Sequence, residues 1–117
     1  NPDAIVVCFL GDGTAGFQIA EWETARRYKL PIIYIIGNDQ RWGAEVEIQI
    51  KDYGQDRAKY CMLDEETNYA NVASGLGCKG FKVSSIKELK KIIKAAFSLK
   101  ETTIIDVNIE GLPGPTL

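Results

Sequence analysis

Ala4-Ile-Val-Val-Cys-Phe-Leu10 runs straight into Gly11-Asp12-Gly13-Thr14-Ala15-Gly16. The apolar run has β-branched residues and no alternation with polar ones, the pattern of a strand buried on both faces of a parallel sheet. The glycine-rich break opens residues 17–28, whose apolar groups at Phe17, Ile19, Ala20 and Ala25 stand among charges in a helical pattern. Pro31 blocks continuation of that helix. Ile32–Ile36 then reads as a second buried strand, ended by Gly37-Asn38-Asp39-Gln40. Strand, glycine turn, helix and strand make a βαβ unit, whose crossover is right-handed.

Further along, residues 41–66 mix Trp42, Val46, Ile48 and Ile50 with many charges and carry no clear period. Val46, Ile48 and Ile50 alternate with polar residues, yet a short helix or a mobile segment fits as well. A weakly patterned stretch of this length inside a compact domain points to a functional loop. Residues 67–76 read as a helix with Thr67 as N-cap and Gly77 as its stop, and residues 80–83 as a strand. Ser85-Ile-Lys-Glu88 is a capping box. It precedes a helix with Leu89, Ile92, Ile93, Ala96 and Phe97 on one face; Lys87, Lys90, Lys91 and Lys94 are its solvated face. Thr103–Ile109 is the last strand and residues 111–117 are tail. The order predicts an α/β domain, a three-layer open parallel sheet with helices on both faces.

Composition narrows the function classes. The chain has 117 residues and no histidine. Its length suits a single domain spanning 1–117, able to hide roughly 65% of its unfolded surface. Without histidine there is no Ser-His-Asp or Cys-His nucleophile and no HExxH zinc site. The net charge of −2 leaves no basic stripe for nucleic acid. The apolar runs at 4–10 and 30–37 are too short to cross a membrane, and no secretory leader opens the chain. Cys8, Cys61 and Cys78 form an odd set without CxxC spacing, read as reduced thiols of a cytoplasmic protein. The first residue is Asn1 rather than Met, so the chain reads as a piece of a larger protein.

Ligands of open parallel sheets sit beyond the carboxyl ends of the strands, and two such ends here carry chemistry. Gly11–Gly16 fits GxGxxG, with an acid, Asp39, 23 residues past Gly16. That is the pattern of a Rossmann-type dinucleotide-binding turn. Asp12 argues against it, because its carboxylate would sit in the middle of a turn that presses on a pyrophosphate. Two anions about 4 Å apart repel by roughly 1 kcal/mol even in water. A cation between them removes the conflict, so Asp12 points to a metal-bridged phosphate. A plain tight turn is the bland reading of Gly-Asp-Gly. The second strand end favours the metal, since Asp39 can face Asp12. Mg²⁺ commonly takes one or two carboxylates together with phosphate oxygens and water. The Gly11, Gly13 and Thr14 amides at the helix start would hold the same diphosphate. A flavodoxin-like phosphoacceptor module would need a lysine at a late strand end, where Val83 and Ser84 stand instead.

Gly11-Asp12-Gly13, 24 residues, then Asn38-Asp39 resembles the diphosphate-binding signature of thiamine-diphosphate (ThDP) enzymes. The surrounding GFQIAEWETARRYKLPIIYIIGNDQRWG is similar to acetolactate synthase-like carboligases and benzaldehyde lyase, and the similarity covers nearly the whole chain. The resemblance implies a ThDP-binding fold, truncated on its N-terminal side, with Mg²⁺ and ThDP as cofactors. Asp12, Asp39 and the Arg41 backbone carbonyl would ligate the metal. Gly11, Asp12, Gly13, Thr14, Asn38, Trp42, Gly43 and Ala44 would meet the cofactor, the last three also bordering the substrate pocket. Glu21 reads as structural. The family's second Asn is Asp39 here, and its extra charge should tighten Mg²⁺ when diphosphate is absent. The implied reaction is that of an acetolactate synthase-like 2-oxoacid decarboxylase or carboligase, with a lyase or another decarboxylase of the family as the alternative. The activating glutamate would come from a pyrimidine-binding domain of the partner subunit in a homodimer or homotetramer. No catalytic residue is then expected in this chain, which alone would be inactive.

Overall fold

Four parallel strands in the order β1-β2-β4-β3 form the middle layer of the computed structural model, which describes residues 4–112. The lead-in before Ala4 and residues 113–117 of the expected tail lie outside the described residues. The elements follow the chain as β1 (Val6–Gly11), α1 (Asp12–Arg27), β2 (Ile32–Asn38) and α2 (Gly43–Tyr53). A 3-10 helix (Gln55–Cys61), α3 (Tyr69–Gly75), β3 (Lys79–Val83), α4 (Ile86–Leu99) and β4 (Thr103–Asn108) complete it. Alternate side chains of each strand feed opposite cores. Ile36 and Ile104 pack with Ala15 and Trp22 of α1 and with Tyr69 and Ala73 of α3. Ile33, Ile105 and Val83 pack with Ala96 of α4 on the other face. The predicted three-layer α/β architecture is thus the one observed.

Several local expectations change. The glycine-rich break is the first turn of α1, not a loop before it. Gly11 is the extended N-cap (φ −80°, ψ 164°) and Asp12 is already helical. The buried stripe of α1 is Ala15, Ile19, Trp22 and Ala25, at helical spacing, while Phe17 and Ala20 face outward. β1 is an edge strand rather than one buried on both faces, and Phe9 is 75% exposed. An unbroken apolar run records hydrophobicity, not how many neighbours cover it.

Residues 41–66 are largely ordered in α2 and the 3-10 helix. Val46 is buried and Ile48 is more than half exposed, so their alternation is not that of a strand. The N-cap of α3 is Asn68, whose side chain accepts the Asn71 N–H at 2.9 Å. Thr67 instead closes a turn by donating its N–H to the Asp64 carbonyl. Ser85 caps α4 as expected, accepting from the Glu88 N–H, but Glu88 reaches back to the Ser84 N–H, one residue earlier than a capping box requires. Among the described residues all three cysteines are free. No helix among them is long and apolar enough to cross a membrane.

α3 lies against β3 so closely that a Cβ on Gly80 would collide with the Ala70 carbonyl oxygen. Backbone cannot yield as a flexible side chain can. Gly80→Ala is therefore expected to cost about 3 kcal/mol, the upper end for overpacking, read by denaturant unfolding. A loss below about 1 kcal/mol would mean that α3 slides off the sheet freely.

Candidate functional site

Parallel pairing in register sets Gly11 opposite Gly37, so β1 and β2 end side by side. A cavity of about 280 Å³ opens there. Gly11, Asp12, Gly13, Thr14, Asp39, Arg41, Trp42, Gly43 and Ala44 all line it, with Phe17 and Glu45 added. Asn38 does not. Its side chain is 3% exposed and turns inward, where Nδ2 donates to Asp106 Oδ1 at 3.0 Å. Its Oδ1 accepts the Gln40 N–H at 3.2 Å. That bond supports a turn in which Gln40 adopts a left-handed conformation, φ 60°.

Asp12 is 2% exposed at the first turn of α1. Its Oδ1 accepts the Gly13 N–H at 2.8 Å and its Oδ2 the Arg41 N–H at 3.2 Å. Burial pushes the Asp12 carboxyl above its ordinary range, and the negative charge of Asp39 adds to the rise. Amides of Gly13, Gln40 and Arg41 pull it part of the way back. Asp39 has its own counter-charge, because Arg41 Nε donates to Asp39 Oδ2 at 2.8 Å in a mostly buried pair. The Arg41 guanidinium also donates to the Leu112 carbonyl at 2.9 Å. The charge of Asp39 is therefore paired from within the site.

The aromatic wall is formed by Trp42 and Phe17, with ring centroids 5.4 Å apart. Trp42 sits so close over the turn that a Cβ on Gly13 would stand 2.7 Å from its Cδ1. A side chain at position 13 would require the Trp42 ring to move.

The donor set suits a hard cation bridged to phosphate. The cavity lining carries the Asp12, Asp39 and Glu45 carboxylates and backbone groups, and among the described residues no three His, Cys, Asp or Glu side chains are grouped so as to hold a metal by themselves. Such a set leaves coordination positions for phosphate oxygens and water. Gly11, having no side chain, does not itself cap the start of α1, where the Gly13 N–H is taken by Asp12 Oδ1, and helix N-termini favour anions. Asp12, Asp39 and the Arg41 carbonyl are the groups that would hold Mg²⁺.

Sequence reasoning overlooked Phe17 as a cavity residue, and Tyr69 and Asp106 behind the cavity. Asp106 did carry a signal, as a charged residue inside the otherwise buried run Thr103-Ile-Ile-Asp-Val.

A parallel α/β domain with an acid-lined cavity at adjacent strand ends and an open helix N-terminus is a diphosphate-binding architecture. The family described as "thiamine pyrophosphate enzyme, C-terminal TPP binding domain" matches residues 1–107, and the chain belongs to it. It is 38% identical to 2-hydroxyacyl-CoA lyase 2 of Bos taurus over 88 residues, 75% of this chain and 13% of that protein. It is 29% identical to the acetolactate synthase large subunit of Haemophilus influenzae over 111 residues, 94% of this chain and 19% of that protein. Benzoylformate decarboxylase from Polynucleobacter necessarius shares the fold, with a TM-score of 0.86 at 23% identity, over 97% of this chain and 21% of that one. The chain thus spans about a fifth or less of the length of the proteins it matches.

The raised Asp12 carboxyl has a sign that can be measured. A group that binds its proton more readily folded than unfolded stabilises the fold at low pH and loses that contribution as pH rises. Asp12→Asn removes this dependence. The melting temperature of the metal-free variant, relative to the parent, is expected to rise between about pH 4 and pH 7. A difference that instead falls with pH would show that the amide bonds outweigh burial.

Proposed function

We propose that this domain anchors the diphosphate of ThDP through Mg²⁺ in an enzyme that makes or breaks a carbon–carbon bond beside a carbonyl. The single observation that carries the reading is the meeting of Asp12, Asp39 and the first turn of α1 in one cavity. When bound, the cofactor supplies the carbanion-stabilising chemistry, and the protein supplies binding and orientation. Asp12 and Asp39 offer oxygen ligands to the metal, the start of α1 receives the diphosphate, and Trp42 and Phe17 shield one side from water.

The reaction we favour is an acetolactate synthase-like decarboxylation and carboligation of a 2-oxoacid. Similarity to the Haemophilus influenzae acetolactate synthase large subunit over 94% of the chain supports it. A 2-hydroxyacyl-CoA lyase reaction is the second reading, supported by the higher identity to the bovine lyase. A 2-oxoacid set against a 2-hydroxyacyl-CoA in the complete enzyme separates the two. The exposed Phe17 and Trp42 beside the cavity suit cover by a pyrimidine-binding domain from a partner subunit of a homodimer or homotetramer. The free cysteines suit a cytoplasmic enzyme.

Two carboxylates beside a diphosphate repel it until a cation intervenes, so metal and ThDP should bind cooperatively. Calorimetry is expected to show ThDP binding at least about tenfold tighter with Mg²⁺ than without, a common size of coupling between ligands. Equal affinities would remove the shared site. The purified 117-residue chain should not turn over pyruvate, because it lacks the activating glutamate; turnover would overturn that assignment.

A further inference from the structure

Asp106 is fully buried in β4, and the cavity does not reach it. Among the described residues its two oxygens meet only N–H donors, Asn38 Nδ2 at 3.0 Å and the Tyr69 backbone N–H at 3.0 Å. From each donor a path leads to the site. Asn38 Oδ1 accepts the Gln40 N–H, and the next amide, Arg41 N–H, donates to Asp12 Oδ2. On the other side, the Tyr69 hydroxyl donates to the Asp12 carbonyl at 3.1 Å. These bonds close a ring through Asp106, Asn38, Gln40, Arg41, Asp12 and Tyr69. Asp12 belongs to it, and Asp39 sits between its members Asn38 and Gln40.

The chemistry of one member dictates the rest. Asp106 acts only as an acceptor, so the Asn38 carboxamide must present its NH₂ to Asp106 and its oxygen to the Gln40 N–H. Were the amide turned over, two donors would face each other at Gln40 and the left-handed turn would lose its support. We propose that Asp106 is a positioning residue, which fixes the Asn38 orientation and thereby the placement of Asp39 and the Arg41 carbonyl relative to Asp12. This inference rests on the proposed Mg²⁺–diphosphate site.

Asp106→Asn tests it at nearly unchanged volume. The carboxamide introduced on β4 can offer its oxygen to the Tyr69 N–H, but its NH₂ then confronts that of Asn38. Asn38 can escape only by flipping and giving up Gln40. The swapped double variant Asn38→Asp/Asp106→Asn satisfies every contact again. The carboxylate, now at the end of β2, accepts from the β4 carboxamide and from the Gln40 N–H. The oxygen of that carboxamide accepts from the Tyr69 N–H.

The parent, the single and the double variant are compared by calorimetry with ThDP and Mg²⁺, and by amide hydrogen exchange at Gln40. The single variant is expected to lose exchange protection at Gln40 and about tenfold in affinity, the low end for losing a partner behind a metal ligand. The swap should restore both. A merely structural Asp106 would lower the melting temperature while leaving Gln40 protection and affinity at parent values, and that result overturns the proposal. If the single variant does not fold, the double decides alone: folded with parent affinity supports it, folded with lost affinity overturns it. If the parent itself does not bind ThDP with Mg²⁺, the functional reading fails, and Gln40 protection across the three proteins still decides the positioning role.

Discussion

Asp12 carries a carboxylate into a place that water barely reaches, and much of the site is arranged around that fact. A buried charge is tolerated only when donors surround it. Here they are backbone amides of Gly13 and Arg41, held by the start of α1 and by the end of β2. The helix N-terminus adds its own favourable field. Keeping those donors in place requires an in-register meeting of β1 with β2. Burial, with the Asp39 charge adding to it, still raises the Asp12 carboxyl above its ordinary value, and a divalent cation would favour its charged form.

Asp39 is handled differently. Its counter-charge is a side chain, the Arg41 guanidinium, two positions along the chain. A residue that would ligate metal through its carbonyl therefore also neutralises a neighbouring ligand through its side chain. Of the cavity's carboxylates, Asp12 is thus satisfied by backbone and Asp39 by a cation. The first is rigid because the helix and strand are rigid. The second depends on a long side chain that also reaches the Leu112 carbonyl.

Much of this was legible in the residues. The strand–glycine–helix–strand order and the two acids at strand ends carried the architecture and the Gly11–Thr14 and Asp39 parts of the lining, while Arg41, Trp42, Gly43 and Ala44 came from the family resemblance. What stayed hidden depended on long-range neighbours. Phe9 and Ile36 sit in equally apolar runs, yet β1 is an edge strand and β2 is flanked on both sides, so one is exposed and the other buried. Trp22 and Phe17 are both aromatic residues of α1; only the position of the sheet sends one to the core and the other to the cavity rim. Asn38 was expected to meet the cofactor because it belongs to the signature that the chain resembles. Side chains alternate along a strand, and at the end of β2 this one turns toward β4 and Asp106.

The strand order has a consequence in time as well as in space. β2 pairs with β4 rather than with β3, so Ile33 must find Thr103, and Asn38 must find Asn108, across most of the chain. Contacts this distant in sequence are slow to form, because the loop must close before they repay its entropy. β1, α1 and β2 can meet early, but the turn that presents Asp39 gains its anchor only when Asp106 arrives on the final strand. On a ribosome, a nascent chain would therefore carry the βαβ unit before the turn beyond it has its anchor, and that turn would settle only once β4 has joined the sheet.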